Sequence, residues 1–317
     1  MKPLHVSYDP LSDSLAGSED VFFRFIFDDK PCDDDRSFST GLPQIHGSRV
    51  GETWRCQYPF RTIIHDSVVA RVCDDYLMAS AQISAASLRV DTQRVYQQLL
   101  DFIHAQGFEH IVRMWNIVPD ITGGEGDQER YKQFCLGRAE AFDGHHLVQQ
   151  QPPAASAVGS QAGQPLRVFM LAARQASVLI ENPRQVSAFS YPRAYGPRSP
   201  SFSRASLLRS EGCRQMFLSG TASIVGHESL HPESVSLQLQ ELFENIRTLT
   251  RNAELNDARS ILRVYVRDIE SIDVVCEQIS SLVTESERLV FVAADICRRE
   301  LLVEVDGLIE CTQHHVA

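Results

Sequence analysis

The sequence predicts an α+β fold of mixed sheets, in which strands outnumber helices and one architecture is used twice. Three observations carry this. The apolar periodicities of the second half run strand, helix, strand, helix, strand, strand. The first half shows a similar strand–helix–strand order, which predicts a duplicated domain. Hydrophobic residues make up 43% and charged residues 22% of the 317, enough for a sizeable core. A boundary near residue 160 gives domains of 1–160 and 161–317.

In chain order, VFFRFIF (21–27) reads as a buried strand and DDKPCDDDR (28–36) as a charged turn; the rest of residues 1–60 is mixed and receives no role. LMASAQIS (77–84) is a strand. DTQRVYQQLLDFIHAQG (91–107) sets Val95, Leu99, Leu100 and Ile103 at helical spacing and stops at Gly107. HIVRMWNIV (110–118) is a strand, and 121–142 a glycine-rich turn entering a helix with Tyr131, Phe134, Cys135 and Arg138 close on one face. By composition QQQPPAASAVGSQAGQP (149–165) is a flexible linker, and 167–182 reads as a hairpin. QMFLSGTASI (215–224) is a strand. The helix over 232–253 starts at Pro232 and carries an apolar stripe of Val235, Leu239, Leu242, Ile246 and Leu249. Strands at 260–268, 288–296 and 300–310 and a helix at 269–283 complete the pattern.

Composition excludes several functions. A net charge of −11 argues against nucleic-acid binding, which needs an excess of cations. There is no apolar run of about eighteen residues to span a membrane. The first residues, MKPLHVSYDPLSDS, lack an apolar core, so the reading predicts no secretory signal and a cytoplasmic protein. The eight cysteines contain no C-x-x-C pair and read as reduced thiols. The glycines at 123–126 are followed by no G-K-[ST], so they form no phosphate loop.

Against this acidic background stands a cationic island. Between Pro183 and Arg214 lie Arg184, Arg193, Arg198, Arg204, Arg209 and Arg214, with Glu211 the one acid. Tyr191, Tyr195 and Phe202 alternate with the arginines, and Pro192, Pro197 and Pro200 stiffen the backbone. Guanidinium forks beside aromatic faces suit a small planar anion; an ordinary surface loop fits the same composition. HESLH (227–231) matches H-E-x-x-H, but zinc binding by that motif needs a helix, and Pro232 pushes His231 out of the helical region. His314 and His315 read as tail residues. Glu304 sits in the apolar run LLVEVDG. Facing inward, its carboxyl would be kept protonated by desolvation, as a general acid requires; facing outward, it is an ordinary strand residue.

Several stretches together resemble the chorismatases: RMWNIVPDI (113–121), GEGDQERYKQFCLGRAEAF (124–142), PAASAVG (153–159), ENPRQVSAFSYPRAYGPRSPSFSRA (181–205), LSGTASIVGHESLHP (218–232), RVYVRD (263–268) and ADICRRELLVEVDG (294–307). The second half is also similar to the YjgF/RidA superfamily through Ser219–Gly220, Gln238 to Asn245, and Val303–Asp306. The resemblance implies two RidA-like halves, no metal and no organic cofactor. It implies hydrolysis of the enolpyruvyl ether of chorismate to pyruvate plus 3-hydroxybenzoate, alone or with 4-hydroxybenzoate. Other members release a non-aromatic dihydroxycyclohexadiene carboxylate. It makes PAASAVG an ordered element, HESLH a turn, and the island a carboxylate-binding wall.

By resemblance, Glu304 is the acid that protonates the enolpyruvyl methylene, and Cys297 stands beside the substrate and favours the aromatic product. Arg138 anchors one carboxylate; Arg193 and Arg204 of the island contribute to the second. Tyr131, Tyr191 and Tyr195 supply hydroxyls and ring contacts. Ala222 replaces a glycine of the strictly 3-hydroxybenzoate-forming members, which points to mixed products. An extended chain from Cys297 to Glu304 would span roughly 23 Å, so CRRE must turn if both line one pocket. A RidA-like imine deaminase and a catalytically silent binding protein remain the competing readings. The sequence leaves monomer or trimer open.

Overall fold

The computed structural model describes residues 1–312 apart from 12–14, 16–17, 29, 31–33 and 146–151. The N-terminal segment contributes β1 (His5–Pro10), β2 (Val21–Ile26), β3 (Ser37–Ser39), β4 (Gln44–His46) and β5 (Val50–Arg55). Then follow β6 (Arg61–His65), β7 (Val68–Val72), β8 (Tyr76–Ile83), α1 (Leu88–Ala105), β9 (His110–Pro119), α2 (Arg130–Asp143), β10 (Ala154–Ser160) and β11 (Leu166–Ala173). The remainder comprises β12 (Val178–Ile180), β13 (Ala205–Ser210), β14 (Cys213–Thr221), β15 (Ile224–Val225), β16 (Glu228–Ser229), α3 (Val235–Asn252), β17 (Arg259–Val266), α4 (Ile272–Ser280), β18 (Glu287–Ala293), β19 (Asp295–Ile296) and β20 (Val303–Thr312).

The duplication is visible in the strand orders. One seven-stranded sheet runs β19-β10-β9-β11-β8-β7-β6 and the other β4-β18-β17-β20-β14-β13-β12. Removing the outermost strands β19 and β4 leaves the same six-stranded unit twice, each with two helices at the same places in the chain. In both, the central pairs are antiparallel and the crossover pair (β9 with β10, β17 with β18) is parallel. The outermost strand of each sheet comes from elsewhere: β19 pairs with β10, and β4 with β18. Both halves thus have the single α+β topology that the resemblance implied.

Period-two alternation sorts each strand between two cores. In β11, Leu166, Val168, Met170 and Ala172 face α1 and α2, while Phe169 and Leu171 face the opposite way. In β20, Val303, Val305 and Ile309 face α3 and α4. Between the two sheets lies the N-terminal sheet β1-β5-β2-β3, which carries an aromatic cluster. Phe23 stacks on Trp54 at 5.0 Å between centroids, Phe25 meets Trp115 and Phe169 edge-on at 5.3 and 5.2 Å, and Trp54 stacks on Phe217 at 6.1 Å. Residues left without a role therefore fill the space that joins the halves.

Three expectations are corrected. The first sheet includes β11, so the cut at 160 passes through it; the repeated units are 61–173 and 178–312. The run 167–182 is no hairpin, because β11 and β12 belong to different sheets and the chain crosses between them there. Residues 154–160 form β10 rather than a flexible linker, hydrogen-bonded to β9 along their whole length. His227 to His231 are not helical, and His231 sits at φ 58°, so the two imidazoles share no helix face. His314 and His315 lie outside the described residues. No helix among the described residues is long and apolar enough to cross a membrane.

Candidate active site

A cavity of about 240 Å³ opens where β10 of the first unit meets β14 and β20 of the second. Its walls come from both units. α2 presents Tyr131 and Arg138, and β10 presents Ser156. The second unit supplies Gly220 at the end of β14, Ala222, Glu304, the turn from Cys297 to Glu300, and a strap between β12 and β13 bearing Tyr191, Tyr195, Phe202 and Arg204.

Glu304 faces inward and is 4% exposed. Gly220 makes room for it: a Cβ there would lie 2.1 Å from Glu304 Oε1 and 3.4 Å from Ser156 Oγ. Burial pushes the Glu304 carboxyl up to about 8, with Asp306 adding to the rise and Arg113 and Arg267 opposing it. At neutral pH the carboxyl is mostly protonated, a proton donor in a dry wall.

Arg138 is 1% exposed, and its Nε and Nη2 find no acceptor among the described residues. Its guanidinium stands 5.0 Å from the Phe134 ring. Burial works against its charge, but Tyr96, Cys135 and Tyr131 around it leave its pKa raised, so it stays a cation. A buried guanidinium with unanswered N–H groups lining a cavity is a receptor for an anion. Helical spacing from Tyr131 brings both residues to the same buried face of α2.

Arg204 provides a second buried cation. Its Nη2 donates to Val186 O at 2.8 Å and to the Tyr191 hydroxyl at 2.9 Å, while its Nε has no acceptor among the described residues. Arg298 lies over Tyr195 at 4.2 Å and Tyr191 at 5.3 Å and donates to His227 O and Ser229 Oγ. The Tyr195 hydroxyl shares a hydrogen bond with His227 Nδ1 at 3.1 Å.

The CRRE segment does turn, closed by Leu301 N donating to Arg298 O at 3.1 Å. Arg267, just after β17, clamps it, donating to Ile296 O and Arg298 O at 2.8 Å each and to Asp295 at 2.6 Å. Cys297 and Glu304 thereby line one cavity. Burial pushes the Cys297 thiol well up, with the Glu304 carboxyl adding to the rise, so it is a neutral thiol and no thiolate nucleophile. Tyr131, likewise raised by burial, keeps its phenol proton. From α3, Asn245 Nδ2 holds Ala222 O at 3.1 Å and Ile224 O at 2.9 Å; Gln238 receives Leu302 N at 2.8 Å. Two amides seven residues apart on one helix thus fix both sides of the cavity floor.

Of the residues singled out by sequence, Glu304, Cys297, Arg138, Tyr131, Tyr191, Tyr195, Arg204 and Ala222 line the cavity. Arg193 does not: it is exposed and forks onto Asp127 at 2.7 and 3.0 Å. Arg184 is taken by Glu241 and Asn245, Arg198 by Asp143, and Arg214 by backbone carbonyls. The wall of the cavity uses Arg204 from the island, and Arg298 and Arg299 from outside it. Ser156, Arg298 and Arg299 escaped the sequence reading, although the deduced CRRE turn already placed the two arginines beside Cys297.

The sequence model described as Chorismatase FkbO/Hyg5-like, N-terminal matches residues 52–172, almost the first repeated unit. A 3-hydroxybenzoate synthase of Streptomyces hygroscopicus is 36% identical over 234 residues, covering 69% of this chain and 68% of that protein. A chorismatase of Streptomyces rapamycinicus is 34% identical over 273 residues, 81% of each chain. A chorismatase crystal structure superposes with a TM-score of 0.87 at 26% identity, over 97% of this chain and 98% of that one. A two-unit α+β protein with a buried acid opposite guanidinium groups is thus matched along nearly its whole length. The chain belongs to the chorismatase family.

Proposed function

We propose that the protein cleaves the enolpyruvyl ether of chorismate, releasing pyruvate and a hydroxybenzoate, with Glu304 as the proton donor. The observation that carries this is the pairing, in one cavity, of a protonated buried carboxyl with a buried guanidinium whose Nε and Nη2 have no acceptor among the described residues. Chorismate is a dianion. Arg138 takes one carboxylate; Arg204, with Arg298 and Arg299 beside it, takes the other.

An enol ether is cleaved by protonating its terminal methylene carbon. That step is slow and generates an oxocarbenium ion. Glu304 delivers the proton and becomes a carboxylate next to the new positive charge. General acid catalysis of this kind contributes on the order of 10²–10⁴-fold. Fixed positioning of both carboxylates supplies more. Water or the ring hydroxyl then adds to the cation, its proton returns to Glu304, and the ketal collapses to pyruvate. Where water has added, the released ring diol loses water to give the aromatic acid; where the ring hydroxyl has added, breaking the ring C–O bond with loss of the ring proton gives pyruvate and the aromatic acid directly. The neutral Cys297 thiol, in the same cavity as Glu304, favours this aromatisation, and Ala222 in place of glycine gives 3- and 4-hydroxybenzoate together.

Purified protein incubated with chorismate tests the proposal. Stoichiometric pyruvate with hydroxybenzoates in the chromatogram supports it. Pyruvate with a non-aromatic diol would retain the acid but discard the role of Cys297. No pyruvate would refute the activity.

A further inference from the structure

The carboxyl of Glu304 ends a row of buried charges that crosses all three parts of the chain. Glu52, on β5, accepts two hydrogen bonds from Arg263 at 2.6 Å and one from Trp54 at 2.8 Å. Arg263, on β17, lies 3.9 Å from Asp306 Oδ1. Asp306 Oδ2 receives Arg113 of β9 at 2.7 Å, the Ser156 hydroxyl of β10 at 2.5 Å and the Tyr265 hydroxyl at 3.2 Å. Arg113 Nη2 also donates to Ser156. Arg113 and Asp306 are fully buried. The row reads minus, plus, minus, plus, and it balances without Glu304.

Glu304 and Asp306 are two apart on β20 and so face the same way. Asp306 is bonded to Arg113 and lies beside Arg263, and Glu304 lies within the field of the same Arg113. We propose that Asp306 is the positioning residue of this site: by serving as the buried anion between Arg113 and Arg263, it denies Glu304 that role and leaves it an acid. This rests on the reading of Glu304 as proton donor. Without Asp306, the row carries an excess positive charge in a low-dielectric interior, and Glu304 ionises to cancel it. A carboxylate there has no proton to deliver. The other charged or titratable groups around Glu304 are Tyr265 of β17 and Arg267 just beyond it, Cys297, Arg298, Arg299 and Glu300 of the turn, Tyr191, Tyr195 and Arg204 of the strap, and Glu129, Tyr131, Lys132 and Arg138 at and in α2. Arg267 is occupied by Asp295, and Tyr265, Tyr131 and the thiol are neutral.

Asp306→Asn tests this. The fall of kcat with rising pH should move to lower pH by about one unit or more, a loss of about tenfold per unit above the limb, with KM little changed. The midpoint of Glu304 in a ¹³C NMR titration, assigned by difference from Glu304→Gln, should move with it. The double variant R113Q/D306N, which removes both charges, should return the midpoint toward the wild-type value. Should Asp306→Asn fail to fold, Glu52→Gln should shift the midpoint the same way by less. A midpoint unmoved in the variant that folds, or a double variant as low as the single, overturns the proposal. A structural tie between the units would lower the melting temperature without moving the midpoint. The NMR titration needs no substrate, so it reads the proposal even if chorismate is not turned over.

Discussion

At the scale of single residues, protonation state and partnership matter more than residue type. Two cations of one island end differently: Arg193 is answered by Asp127 in solvent, while Arg204 is buried with no acceptor for its Nε among the described residues. Arg138→Ala should therefore raise KM for chorismate strongly, by a few kcal/mol of binding, because its buried charge has no counter-ion among the described residues and a substrate carboxylate would answer it. Steady-state kinetics checks this, and Arg193→Ala serves as the near-neutral comparison, as expected for an exposed pair. Glu304 has a signature in stability as well. Its folded pKa of about 8 lies above its ordinary 4.5, so the folded state binds the proton more tightly. Stability is then lost as pH rises through that window, by about 1.4 kcal/mol per unit. Glu304→Gln should be more stable than wild type at pH 8 and equal to it near pH 4, by denaturant titration. Activity should fall as pH rises through about 8, since the carboxylate form donates no proton.

At the scale of elements, Gly220 near the end of β14 and the helix behind it shape the cavity. Gly220→Ala would place a methyl 2.1 Å from the Glu304 carboxyl. The strand pairing is unaffected, so the variant should fold with kcat reduced by roughly 10²-fold, the lower range for loss of a general acid. Retained kcat would show that Glu304 has room to move. Strands that are mostly apolar runs, such as β8, β9, β17 and β20, were legible from sequence, as were the helices α1 to α4. The direction of Glu304 was not: Val303 and Val305 define a face for themselves without saying which side of the sheet is wet. β5 and β6 went unseen because VGETWR and RTIIH mix polar and apolar residues; Glu52 and Trp54 there serve an internal charge row and an aromatic cluster. The false hairpin had a local cause as well. ARQAS between two apolar runs looks like a tight turn, and nothing nearby records that the chain changes sheets.

At the scale of the whole molecule, the site needs both copies of the repeat and the segment before them. The first unit supplies Arg138, Tyr131, Ser156 and Arg113; the second supplies Glu304 and Asp306. The duplicated order was legible in the alternation of elements, but the sandwich was not, since it depends on contacts far apart in sequence. Removing residues 1–55 would strip Phe23, Phe25 and Trp54 from between the sheets and leave Arg263 without Glu52. An uncovered apolar face of that size and an unpaired buried cation should leave the remainder insoluble on expression, although every cavity-lining residue is retained.

Single-turnover pyruvate release by Glu304→Gln, measured beside chorismate binding by calorimetry, addresses the role of the buried acid most directly. The amide keeps the shape and loses the proton. Binding should stay within a few-fold of wild type while the chemical step slows by about 10²-fold or more. Pyruvate released at the wild-type rate would contradict the assignment of Glu304 as the proton donor.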